Sequence, residues 1–190
     1  MGRADVAMAV LKPWQSLTLF WCAVLSIRLI AAGHLGLHAD EAYYWTWSQD
    51  LSWGYFDHPP AIAGWIGASV AVFGHSELGV RALGIFLHTA AMGAFVWAFL
   101  SQEDDGDPWL LTLLLCMPLF FMGGLVATPD APLLTAWTVA LIAAKREWWW
   151  VLGVACGAAM LSKLTGYLLL PAVILAVPHA WKGLARASLV

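Results

Sequence analysis

The sequence predicts an all-α fold, a polytopic transmembrane bundle of about six helices with a further helix in an outer interfacial loop. Composition carries this first: of 190 residues, 62% are hydrophobic and 11% charged, against about 25% charged in soluble domains. The mean hydropathy is +0.76. The second observation is the 13 Trp, most of them where apolar runs end, as in an aromatic belt at a bilayer interface. The formal charge of -3, with 9 Lys and Arg placed singly or in pairs, leaves no basic patch, so nucleic acid is excluded as a partner. Cys22, Cys116 and Cys156 lie inside apolar runs without CxxC or Cys/His spacing, which argues against a disulfide framework or a zinc site.

Residues 1–190 read as a single transmembrane domain. The first span is 14–33, with Arg28 as its only charge. A positive start and the small residues Ala31, Ala32 and Gly33 also fit a signal peptide, but the stretch is long for one and Arg28 sits near its far end, so an uncleaved helix is preferred. Spans follow at 82–100 and 109–128, both free of Asp, Glu, Lys and Arg. Span four, 131–147, is closed by Lys145, Arg146 and Glu147. The remainder reads as two short spans, 148–162 and 164–181, meeting around Lys163. The outer loop covers 34–81. Its apolar run Pro59–Gly74 is too short to span and belongs in the interface or against the bundle.

Orientation follows from the basic residues of the short loops. With the N-terminus cytoplasmic, Arg3, Lys12, Lys145, Arg146, Lys182 and Arg186 fall inside, and Arg28, Arg81 and Lys163 outside. This places the protein in the cell (inner) membrane as a multi-pass chain. Segments 34–81, 128–131 and 162–166, which hold most residues of chemical potential, then share the non-cytoplasmic side.

In the outer loop, a helix over Asp40–Gln49 puts Asp40, Tyr44 and Trp47 on one face. Asp40 is then either a reacting carboxylate beside aromatic rings or a helix N-cap. Asp57 and His58 precede Pro59-Pro60, a stiff turn; the pair suits an Asx turn or a divalent cation, although two ligands do not make a metal site. Asp130 is a cap at the start of span four or a second site carboxylate. Lys163 either snorkels to the interface or binds a phosphate. Arg28 and Arg81 have the same two readings, anchoring or an anionic head group. His34, His38, His75, His88 and Cys156 are assigned to structure.

Four ordered strings then carry a resemblance: DEAYYW (Asp40–Trp45), YFDHPP (Tyr55–Pro60) with FGHSELGVR (Phe73–Arg81), TPDAPLLTAW (Thr128–Trp137), and GAAMLSKLTGYLLLPAV (Gly157–Val173). The chain resembles the N-terminal half of the C-type (GT-C) membrane glycosyltransferases, within the protein mannosyltransferase-like group that includes bacterial aminoarabinose transferase and rhizobial lipopolysaccharide galacturonosyltransferases. The resemblance implies that Asp40, with Glu41 beside it, and Asp130 are catalytic carboxylates. It implies that Lys163 contacts the donor phosphate and that Asp57 lies where relatives place a ligand to a divalent metal ion. His58 stands where some relatives carry Lys; with Tyr44 on the Asp40 face and Arg81 from the residue reading above, it completes the candidate substrate-binding set.

The implied reaction moves a sugar from a polyprenyl-phosphate donor to an envelope lipid, glycan or protein acceptor, with inversion. A base must take the acceptor proton and cations must stabilise the leaving phosphate. Asp40 suits the first task and Lys163 the second; for an acceptor that is itself a phosphate, Asp40 positions instead. Members of the group are usually much longer. The chain is therefore read as the N-terminal half of such a module, either truncated or completed by a second polypeptide, and as an inverting glycosyltransferase whose activity without the remainder is open. Membrane lipids are its surroundings. The alternatives are a lipid-phosphate transporter or flippase-like subunit and an inactive assembly partner.

Overall fold

A computed structural model describes residues 13–100, 109, 112–113 and 116–176, and every regular element among them is helical. Helix α1 (Pro13–His34) and helix α4 (Glu77–Leu100) are the two long apolar helices. At 1.5 Å per residue they reach ~33 and ~36 Å, enough to cross a hydrocarbon core of about 30 Å. Between them lie α2 (Ala39–Ser48) and α3 (Ala61–Phe73). Then come α5 (Pro118–Gly123), α6 (Asp130–Lys145), α7 (Trp149–Ser162), a 3-10 turn (Leu164–Leu168) and α8 (Leu169–Ala176).

Helix α3 is the apolar run too short to span. It starts after Pro59-Pro60 and buries Ile62, Ala63, Ile66 and Val70 together with Val80 of α4 and Tyr44 and Trp47 of α2. Helices α6 and α7 form an antiparallel hairpin whose interface is rich in alanine: Ala136, Ala140, Ala143, Ala155 and Ala159 are buried with Leu152, Leu169 and Val173. Small side chains let two backbones approach closely where the solvent is lipid and packing is the driving force.

The third span differs from expectation. A continuous helix was expected over 109–128, but the chain turns at Cys116 and Met117, and α5 starts afresh with Pro118 in its first turn. Proline has no N–H to continue a helical ladder. Gly123 and Gly124 then end α5, so residues 124–129 are non-helical and their backbone is available to side chains. The sixth span also differs at its start, which is 3-10 rather than α; residues 177–181 lie outside the described set.

Arg28 braces the broken segment. It is 1% exposed, donates to Thr89 Oγ1 at 2.8 Å and to the Phe120 carbonyl at 3.2 Å, and lies 4.9 Å from the centre of the Phe121 ring. Gly124 makes room for it, because a Cβ there would come within 2.7 Å of the guanidinium and 2.3 Å of the His88 ring.

Connectivity puts the chemistry at one end. The C-terminal end of α1, the start of α4, the start of α6 and the end of α7 meet there, tied by bonds from Arg81 to Ala32, Leu35 and Gly36 and from Lys163 to Asp130. The opposite end carries Arg146, packed over the Trp97 ring at 5.3 Å.

Candidate active site

Helix α2 is short, and its N-terminus is built by His38. The ring Nδ1 accepts from the Asp40 N–H at 3.4 Å, and the His38 N–H donates to Glu41 Oε2 at 2.9 Å, which is a capping box with histidine in the serine position. The cap is therefore His38, not Asp40. The buried stripe of α2 is Glu41, Tyr44 and Trp47, whereas Asp40 sits at its edge with a side chain 64% exposed, 3.6 Å from the His38 ring.

Glu41 is 0% exposed. Its Oε1 accepts from Arg81 Nε at 2.7 Å and from the Ala127 N–H at 2.8 Å, and its Oε2 accepts from Arg81 Nη2. Burial alone would raise this carboxyl. The Arg81 guanidinium, followed by the Ala127 and His38 N–H groups, outweighs burial and holds it below the ordinary glutamate range. Arg81 in turn donates from Nη1 to the Ala32 and Leu35 carbonyls and from Nη2 to Gly36. All five guanidinium N–H groups are thus committed. This corrects the expectation that Arg81 holds an anionic head group: Glu41 and Arg81 border the same cleft as Asp40 and Asp130, but their hydrogen-bonding groups are already paired.

Asp130 is the first residue of α6, following Pro129 as N-cap. Its Oδ1 accepts from Lys163 Nζ at 2.8 Å, with both side chains partly open. Lys163 is held at a sharp exit from α7: its backbone is extended (φ -157°, ψ 151°), and the 3-10 turn folds back so tightly that a Cβ on Gly166 would lie 1.9 Å from the Ala159 carbonyl oxygen. Only glycine fits there, which fixes where Lys163 leaves the helix.

Asp57 follows a loop locked by Tyr55. That ring stacks on Trp47 with centroids 4.4 Å apart, and its hydroxyl donates to the Trp47 and Asp50 carbonyls. His58 packs edge-on against Tyr44, centroids 5.8 Å apart. The Tyr44 phenol is pushed up first by burial and then by the charges of Asp40, Asp57 and Asp130. Tyr43 is pushed up by desolvation and by its hydrogen bond to Asp57. Asp40, Asp130 and Thr128 also line one cleft of about 720 Å3, floored by Phe120 and Leu125.

Among the described residues no group of three His, Cys, Asp or Glu side chains is placed to hold a metal ion. These residues therefore do not by themselves form a divalent cage, and no step is derived through one. Two contributors were not singled out from sequence as site residues: Tyr43, which stands close enough to Asp57 to feel its charge, and His38 as a cap. The spacing His38-x-x-Glu41 is the signal that could have found the second.

The profile of the dolichyl-phosphate-mannose-protein mannosyltransferase family matches residues 57–189. The chain belongs to this family. It thus takes in Asp57, Arg81, Asp130 and Lys163, while α1 and α2 precede it. The chain is also 32% identical, over 108 residues, to the lipid A galacturonosyltransferase RgtD of Rhizobium johnstonii; the match covers 55% of this chain and 22% of that relative. No solved structure matches the chain. Family and fold agree: the chain is an all-helical member of this family, and two of its helices are long and apolar enough to cross a membrane.

Proposed function

We propose that this end of the bundle transfers a sugar from a polyprenyl-phosphate donor to a hydroxyl of an envelope lipid, glycan or protein, on the non-cytoplasmic side and with inversion. The observation that carries the reading is the convergence of an exposed carboxylate, Asp40, with the Asp130–Lys163 pair around one cleft. The acceptor hydroxyl attacks the anomeric carbon as Asp40 takes its proton, and the bond from that carbon to the phosphate oxygen breaks, its electron pair leaving with the phosphate. The Lys163 ammonium has three N–H donors and uses one on Asp130, so it can steady the charge that grows on the phosphate. A carboxylate hydrogen-bonded to that ammonium holds it in place.

An apolar groove of about 590 Å3 between α3, α6 and α7 reaches Ser162, the neighbour of Lys163. Its polarity suits the hydrocarbon part of such a donor. The test is transfer from a panel of polyprenyl-phosphate sugars in membranes of cells producing the chain. Asp40→Asn is expected to lower transfer about 10²- to 10⁴-fold, the span for losing a general base, with the amount of folded protein unchanged. Transfer at the parent rate in that variant would remove the mechanism. Movement of the labelled lipid without sugar transfer would favour a flippase-like subunit instead.

A further inference from the structure

We infer that Glu41 and Arg81 are positioning residues whose buried pair sets the separation of Asp40 from Asp130, and so the width of the cleft; this rests on the transferase reading above. The argument starts from unsatisfied backbone. A helix leaves its last carbonyls without partners, and at the end of α1 the Ala32, Leu35 and Gly36 carbonyls accept from Arg81. The non-helical segment after α5 leaves the Ala127 N–H without a ladder partner, and a buried N–H must find an acceptor; Glu41 Oε1 is that acceptor.

Apolar packing can hold helices together as cheaply as an ion pair, but it cannot satisfy these groups or fix their directions. The fork therefore joins four segments: the end of α1, the start of α2, the start of α4 and the non-helical segment around Ala127. Two of them lead directly to the candidate reacting groups. Asp40 is the residue before Glu41. Asp130 is three residues beyond Ala127, through a link stiffened by the Thr128 N–H to Val126 carbonyl bond, the Ala131 N–H to Thr128 carbonyl bond and Pro129. One carboxylate thus orders two others that are 90 residues apart in sequence.

The experiment measures distance directly and does not depend on turnover. Nitroxide labels at Thr46 in α2 and Met122 in α5, both exposed, are placed in the full chain in lipid with its three cysteines replaced by alanine. Labels at Val139 and Val154, exposed on the α6–α7 hairpin, report on the rest of the bundle. The expected result is one narrow Thr46–Met122 distance in the parent. In Glu41→Gln, which removes charge but keeps shape, and in Arg81→Lys, which keeps charge but loses the fork, that distance broadens or splits while Val139–Val154 stays fixed. Transfer in these variants falls in kcat by about 10²-fold, as for a misplacement of ~1 Å, with donor KM near the parent value.

An unchanged Thr46–Met122 distance in both variants overturns the inference. So does broadening of both pairs, since the fork would then hold the whole bundle and not the site. Absence of transfer in the parent overturns the transferase reading, and the distances still decide the positioning role.

Discussion

Two ion pairs sit at the same end of this bundle and behave oppositely. Glu41–Arg81 is sealed, bidentate and closed over with backbone partners, whereas Asp130–Lys163 is joined by one bond with side chains 47% and 32% exposed. A sealed pair costs desolvation and is costly to break from one side. An open pair is worth about 0–1 kcal/mol to stability, so it can exchange partners when a phosphate arrives. The contrast separates residues that hold the site from residues that act in it.

The largest expected effect is on the sealed pair. Arg81→Ala leaves a buried carboxylate and several carbonyls without partners, and it should lower unfolding stability by about 3–5 kcal/mol; thermal unfolding in detergent measures this. A loss below 1 kcal/mol would place Arg81 with the open pair and erase the distinction.

Acid sharpens it next. The Glu41 carboxyl is held below its ordinary range in the folded chain, so its contribution is complete above the ordinary glutamate range and is lost as pH falls through that range toward the folded value. The stability gap between the parent and Glu41→Gln should therefore close on acidification. A gap independent of pH would mean that the carboxylate charge contributes nothing.

The smallest stability effect belongs to Lys163→Gln, expected within about 1 kcal/mol of the parent. Its effect should appear instead in donor KM, raised about ten-fold, the equivalent of one charge-assisted hydrogen bond. A large stability loss with unchanged KM would move Lys163 into the structural class.

Much of this was legible in the chain itself. Hydropathy located α1 and α4, because an apolar stretch of bilayer length has few other uses, and the short run after Pro59-Pro60 emerged as α3. Loop charge put the segments holding Asp40, Asp57, Asp130 and Lys163 on one expected side, but whether they meet was not legible. The break at Pro118 was not read, since a proline inside an apolar run is also tolerated in membrane helices. The Glu41–Arg81 pair was not read either: Glu41 entered only through the resemblance and Arg81 as an anchor or a head-group ligand, and local pattern does not reveal a partner 40 residues away.

Sequence alone thus determined the medium, the helical class and the set of residues able to do chemistry, because these follow from composition and local periodicity. The tertiary structure decided which charges are spent and which are available. Pairing depends on long-range geometry: Arg81 finds Glu41, Glu41 finds the Ala127 N–H 86 residues on, and Lys163 finds Asp130 33 residues back. Burial then fixes the role, since a charge sealed from solvent must keep its partner while one at the cleft mouth is free to change it.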